Sequence, residues 1–491
     1  MTDRYRPVVF RALMAVCAFL FLLLFARYSS PLMPRENGWD SAFFRLVGQR
    51  MTEGCLPYRD FFDMKGPYLF LLEYLGQRIV YGRMGAFILE WINLTAVLLI
   101  VCHIFDQLKI RKYSTGMLLL VPCLWIAAGT FEGGNMTEEL SLPALFLCLD
   151  LWLNHILDPG RIGYHAPRYA AVYGACFMFL ALIRITNAAL IGAIVLSLCV
   201  ELIARRSIKC LWMNALSFIA GAAAVFLPMY LFYAANGLAG EMLYQVFVFG
   251  YRYGSEYSFL ASLQRALKHL HQYIFLILPL FLLFVYRVRD WRLSLMAVFA
   301  SLFTLFACIP SNQYTHYFTL GIPLIVLSEI IILLNRGIAE NRGNRKRIAV
   351  FLLAASMLLH IQTTGGSLLY SCRLLFVPGF TVESGVQDVA AHIDDSERDR
   401  VFCYNTGAFW YLASGINPYI RYTGWHKHYI KLNPEIAADL ESLLKQDPPS
   451  CIVTQAGQSL PAFLNDLLSA RYRETYRNDQ YILHKIISPA A

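Results

Sequence analysis

The sequence predicts a mainly α-helical, polytopic membrane protein: a bundle of about eleven spans, interfacial helices in the first extracytoplasmic loop, and a small C-terminal α/β domain. Three observations predict it. Of 491 residues, 57% are hydrophobic and only 15% charged, with a mean hydropathy of +0.49, whereas soluble domains carry roughly 25% charge. Apolar runs long enough to cross hydrocarbon recur along the first 364 residues. Beyond them, short β-rich runs alternate with amphipathic helical patterns.

Taken in order, spans fall near residues 8–26, 85–106, 115–130, 138–154, 211–234, 272–286, 293–310, 316–335 and 347–364. Only a helix or a closed barrel satisfies its own backbone in lipid, and a helix needs about 20 residues to do so. Residues 169–203 are apolar except for the break RITN at 184–187, which predicts two short helices meeting outside. The run at 8–26 lacks the small-residue cleavage pattern of a signal peptide and is kept as a span.

Basic residues resist translocation, so their distribution sets the orientation. The N-terminus (Arg4, Arg6), KIRK at 109–112, Arg161 and Arg168, ARRSIK at 204–209, RVRDWR at 287–292 and RGIAENRGNRKR at 336–347 together hold 18 Lys and Arg. The short connections assigned to the other side, at 131–137, 184–187 and 311–315, hold one, Arg184. A multi-pass cell-membrane protein is expected, its N-terminus cytoplasmic and its C-terminal domain extracytoplasmic. The net charge of +9 is largely this bias and gives no support to nucleic-acid binding. Most of the 12 cysteines lie in apolar runs, where Cys acts as a small hydrophobe, whereas Cys55, Cys372, Cys403 and Cys451 fall where an oxidising compartment allows pairing. No Cys/His cluster has metal-ligand spacing, and no internal repeat is evident.

Residues 1–364 are therefore expected as one membrane domain and 365–491 as a separate α/β domain. In the latter, RVFCYN, CIVTQ and QYILHKI read as strands, and NPEIAADLESLLKQ and PAFLNDLLSARYRETY as helices. It carries no phosphate-cradling glycine motif, so substrate binding or scaffolding is its expected role.

The first external loop, 27–84, is too long for a simple connection. In SAFFRLVGQRM, Phe43, Phe44, Leu46 and Val47 fall on one side and Arg45, Gln49 and Arg50 on the other, the pattern of a helix lying at the interface. Gly66 and Pro67 open a second helix, because Pro suits a first helical turn. The carboxylates near these helix starts then sit at lipid-headgroup depth.

These residues resemble the GT-C superfamily of integral membrane glycosyltransferases, especially the branch of protein O-mannosyltransferases and the lipid A aminoarabinose transferase. The resemblance rests on Asp40 just after the first span, followed by GCLPYRDFFDMKGP at 54–67. It continues in GGNMTEELSLP at 133–143, the RITN break, and NQYTHYFTLGIP at 312–323. It implies transfer of a hexose or pentose, with inversion, from a polyprenyl-phosphate carrier to a lipid, protein or glycan acceptor at the outer face of the bilayer. A phosphate leaving group benefits from cations, and an attacking hydroxyl needs a base.

By that resemblance Asp40 is the base, with helix capping as its rival role. Lys65 is assigned to the donor phosphate, against a snorkelling surface lysine. Arg184 is a second phosphate ligand, against a salt bridge to Glu138 or Glu139. Glu138 and Glu139 open a span, where at least one is expected to line the active site; an Asn135–Glu138 capping pair is the alternative. Asp63 and Asp60 are open to three roles: holding a cation, orienting Lys65, or standing as solvated turn carboxylates. Tyr58 belongs to the same motif, and His316 and Tyr317 are expected to complete the cavity wall. The aromatic stretch YQVFVFGYRYGSEYS at 244–258 is expected as an interfacial belt rather than a sugar-stacking platform.

No cofactor is assigned. Trp39, Asp40 and Ser41 are followed by Ala42, so the Asp-x-Asp signature of oligosaccharyltransferase-type relatives is missing and a catalytic divalent cation has little support. Asp40, Asp60, Asp63 and Glu138 would hold one only if folding gathered them. The opposing function is a lipid or solute transporter or flippase, which would place ionisable residues along a route through the bilayer midplane.

Overall fold

The computed structural model describes residues 6–110, 113–158, 163–255, 258–309, 314–335, 342–380 and 385–487. Arg4, Arg111, Lys112, Arg161, the stretch 336–341 and residues 312–313 of the late motif lie outside the described residues.

Among the described residues nine α-helices build the first half: α1 (Arg6–Phe25), α2 (Asp40–Met51), α3 (Pro67–Ile79), α4 (Arg83–Gln107), α5 (Tyr113–Thr130), α6 (Thr137–Leu157), α7 (Pro167–Arg184), α8 (Ala189–Ala204) and α9 (Ile208–Ala235). Among the described residues seven helical runs are long and apolar enough to cross a membrane, or nine if two bent pairs each count as one span. The expected eleven counts in addition the shorter Thr115–Thr130 and treats Pro167–Ala204 as two passes.

Geometry supports that division. Just before α7, His165 bonds Asn214 of α9 at 2.6 Å, and its ring lies 5.0 Å from that of His155 near the end of α6. At the end of α8, Glu201 bonds the same His155 at 3.0 Å. The turn between α7 and α8 lies at the other end of α6, where Arg184 pairs with Glu138 and Asn187 Nδ2 donates to the Thr137 carbonyl at 2.9 Å. The chain thus runs out along α7, turns through Ile185–Ala188, and returns along α8.

The last membrane helices, Arg342–Leu359 and Ile361–Phe376, carry the bundle past residue 364, so Cys372 sits on a helix. All twelve cysteines are unpaired. Helix α9 turns Trp212, Leu216, Ile219, Leu231 and Phe232 outward, a face suited to lipid that would be a liability in water. Its other side meets α7 at backbone contact: a Cβ on Gly174 would fall 1.9 Å from the Phe218 carbonyl oxygen, and one on Gly221 the same distance from that of Ala171. Small residues permit this approach where the hydrophobic effect cannot drive helices together.

The first loop departs from the interfacial pattern in one respect. Every residue of α2 from Ser41 to Gly48 is buried, Arg45 included, because α2 is packed between α3 and the C-terminal helix Ala408–Ser414. Arg45 donates to the Tyr28 carbonyl at 2.8 Å and to Asn37, so it is a structural donor and not part of a solvated face.

In the C-terminal domain β1 (Val401–Tyr404), β2 (Cys451–Gln455), β3 (Tyr472–Arg477) and β4 (Tyr481–Ile486) form one sheet in the order β1-β2-β4-β3, parallel only between β1 and β2. The run PAFLNDLLSARYRETY divides at Arg471: its first part is a helix, and Tyr472–Arg477 pairs with β4. Pairing with β4 overrides the helical pattern there. The domain shares an aromatic core with the first loop, since Phe62 lies 5.3 Å from Tyr422, 5.5 Å from Tyr429 and 5.0 Å from Phe249. The stretch 244–249 is therefore core in part, and not only a belt: Phe249 is fully buried.

Gly174→Val should force α7 and α9 apart and cost roughly 1–3 kcal/mol, as overpacking does. A lower apparent thermal midpoint of the purified protein in detergent is the expected result; an unchanged midpoint would contradict the contact.

Candidate active site

At the α6 start, the first loop and the C-terminal domain enclose a pocket of about 140 Å³. Asp40, Asp63, Lys65, Glu138, Arg184, His316 and Tyr317, all expected from the sequence, line it together. Asp60, Tyr58 and Glu139 do not.

Asp40 is the first residue of α2. Trp39 holds the N-cap position, and no side chain caps the helix, so Asp40 faces the pocket at the positive end of a helix instead of closing its first turn.

Lys65 is held by its own backbone. Its N–H donates to Asp63 Oδ1 at 2.7 Å, and its carbonyl accepts from the Tyr58 hydroxyl at 2.9 Å. Next to it, the Gly66 N–H donates to the Ile183 carbonyl at 2.9 Å, and a Cβ on Gly66 would lie 2.0 Å from the Leu182 oxygen. Glycine at this position lets the loop rest on the end of α7, one residue from Arg184. The Lys65 ammonium sits 6.0 Å from the ring centres of Phe44 and Tyr253, and among the described residues no carboxylate pairs with it.

Arg184 lies 4.0 Å over the Tyr317 ring and pairs with Glu138, so the expected salt bridge is present and the guanidinium still reaches the pocket. Its position follows from the RITN break. Asn187 Nδ2 donates to the Thr137 carbonyl at 2.9 Å and to Ser141 Oγ at 2.8 Å, bonds that tie the break to α6. The Asn135–Glu138 capping pair is not formed: Met136 is the N-cap, and Asn135 donates its backbone N–H to Glu139 at 2.9 Å and its side chain to Ser41 at 3.1 Å. Glu139 thus lies behind the pocket wall, supporting Asn135.

Asp63 is buried, and its second oxygen accepts from the Tyr429 hydroxyl at 2.8 Å. Burial raises its pKa, with Asp40 adding to the effect while Lys65 and the hydrogen bonds oppose it. Asp60 instead pairs with Arg59 at 2.8 Å and accepts the Leu56 N–H at 2.7 Å, away from the pocket. Tyr58 is buried as a brace. Three of the four acids, Asp40, Asp63 and Glu138, share the pocket while Asp60 is turned away, and among the described residues no three His, Cys, Asp or Glu are placed to hold a metal ion.

Glu132 is the acid that sequence reasoning missed. It lines the pocket in a left-handed conformation (φ 52°), accepts the His316 N–H at 3.0 Å, and lies 2.7 Å from His316 Nδ1. Burial alone would push its carboxyl up; the bonds from His316 outweigh that and hold it below its ordinary value. A carboxylate next to two glycines, FEGGN, was the available signal. Tyr253, Trp425 and Tyr429 also line the pocket, from the aromatic stretch and the C-terminal domain.

No protein-family model and no curated protein matches the sequence. Among solved structures, ArnT from Cupriavidus metallidurans bound to undecaprenyl phosphate matches with a TM-score of 0.58 at 14% identity, covering 99% of this chain and 98% of that one. The apo form of the same protein matches with a TM-score of 0.48 at 11% identity, covering 98% of each chain. The chain therefore has the fold of that undecaprenyl-phosphate-bound ArnT structure.

Tyr429→Phe removes a donor from a buried carboxylate and should cost about 1–3 kcal/mol. The expected readout is a lower midpoint of thermal unfolding together with easier proteolysis between the membrane bundle and the C-terminal domain. Wild-type resistance would show that this bond does not hold the domain.

Proposed function

We propose that this protein is a membrane glycosyltransferase that moves a sugar from a polyprenyl-phosphate donor to an acceptor hydroxyl at the extracytoplasmic face, with inversion. The observation that carries the proposal is one pocket lined by Asp40 together with two cations, Lys65 and Arg184. The fold adds support, since the matched ArnT structure contains undecaprenyl phosphate.

The acceptor oxygen attacks the anomeric carbon as Asp40 takes its proton. The bond from that carbon to the phosphate oxygen breaks, and the polyprenyl phosphate leaves with the electron pair. Lys65 and Arg184 stabilise the charge that develops on it, which preorganised cations do at little reorganisation cost. Glu138 aims the Arg184 guanidinium, and Asp63 and Tyr58 fix the Lys65 backbone. Attack from the side opposite the leaving group inverts the anomeric centre without a covalent intermediate.

Orientation follows from the basic bias. Arg292, which lies 3.7 Å from Glu201, sits with the basic stretches at 204–209 and 287–292 at the bundle end opposite the pocket. Cytoplasmic placement of that end puts the pocket and the C-terminal domain outside.

Purified protein given labelled polyprenyl-phosphate sugars and an acceptor bearing a free hydroxyl should release polyprenyl phosphate and transfer the label to that hydroxyl. Asp40→Asn keeps shape and removes the base, so turnover should fall by about 10²–10⁴-fold with folding intact. Normal turnover in that variant would remove Asp40 from the role. Lys65→Ala should weaken donor binding by about tenfold or more, the scale of a charge-assisted phosphate contact, read as a rise in donor KM.

A further inference from the structure

We propose that the cleft between Trp39 and the C-terminal domain binds a neutral carbohydrate as the acceptor, making that domain the acceptor-recognition module. This deepens the glycosyltransferase proposal and rests on it.

The cleft measures about 510 Å³, within the roughly 300–1,000 Å³ range of ligand clefts. Three separate parts of the chain supply its aromatic walls: Trp39 from the first loop, Tyr370 from the last membrane helix, and Phe409 from the C-terminal domain. Trp39 and Phe409 meet edge to face at 5.3 Å, leaving Trp39 39% exposed. Between these walls stand planar polar groups: the amide of Gln455 at the end of β2, the carboxylate of Asp479 in the β3–β4 turn, and that of Glu36, which accepts from the Tyr370 hydroxyl at 3.3 Å.

That composition selects a ligand class. A pyranose offers an apolar C–H face for an aromatic ring and equatorial hydroxyls for in-plane amides and carboxylates. The lining carries two carboxylates and no Lys or Arg; Arg27 lies 4.9 Å over the Tyr370 ring but donates to Ser367 at 2.9 Å, so a phosphorylated or otherwise anionic group is disfavoured. Extended peptides bind by adding a strand to a sheet edge; here the cleft meets the sheet at the end of β2 and the β3–β4 turn, not along an outer strand.

Position completes the case. Trp39 and Tyr28 line both this cleft and the pocket of Asp40, and Trp39 immediately precedes Asp40 in the chain. A sugar stacked in the cleft is therefore next to the base that would take its proton.

The test uses saturation-transfer NMR on the full-length protein in detergent, with the methyl glycosides of glucose, galactose, mannose and N-acetylglucosamine as probes. Inorganic phosphate and a serine-containing tripeptide serve as the rival ligands. At least one glycoside should bind, and Tyr370→Ala and Asp479→Asn should each weaken it by about tenfold, the equivalent of about 1.4 kcal/mol. The exposed position of Asp479 keeps that variant informative if Tyr370→Ala fails to fold. Binding of no glycoside, glycoside binding that survives both substitutions, or selective binding of phosphate or peptide would each overturn the proposal. Hydrolysis of a labelled polyprenyl-phosphate sugar is measured in parallel. Its presence without glycoside binding sinks the acceptor assignment alone; its absence sinks the transferase reading on which the assignment rests.

Discussion

The segment DFFDMKGP is held from several sides at once, and the pocket depends on that. Gly66 rests on the carbonyls that end α7, Phe62 enters the aromatic core of the C-terminal domain, and Asp63 bonds Tyr429 on one oxygen and the Lys65 N–H on the other. None of these contacts involves the Lys65 ammonium, which is left to the pocket. A cation positioned through its backbone is preorganised without being neutralised, the condition for stabilising a charge that appears only during reaction.

Arg184 shows the complementary arrangement. Its guanidinium is already paired with Glu138 and stacked on Tyr317, which fixes its direction and lowers the net charge of the pocket. Glu132 likewise fixes the direction of His316. Among the described residues the pocket thus combines one cation free of ion pairing with polar and charged groups that constrain each other, so its polarity is set by geometry and not by the count of acids and bases around it.

The C-terminal domain is bound into this arrangement and does not hang from it. Tyr429 and Trp425 line the pocket, and Phe409 meets Trp39. A domain with no catalytic motif of its own still shapes the site, because aromatic side chains that contact the first loop are spread over 409–429 without any short signature.

By itself the sequence determined the membrane character, the approximate span positions and three of the first-loop residues that line the pocket, Asp40, Asp63 and Lys65, because hydrocarbon imposes length and apolarity on each span and the loop motif is local. Asp40, Lys65 and the RITN turn were legible for that reason. Only the tertiary structure decided which acid of a neighbouring pair faces inward: Glu138 lines the pocket and Glu139 supports Asn135, although they are adjacent and chemically alike. The same holds for the burial of Arg45, the strand at Tyr472–Arg477 and the part taken by Glu132. Each is settled by contacts with residues distant in the chain, and the physical reason is that a side chain's direction and a short segment's pairing are fixed by the surface it meets, which local pattern does not contain.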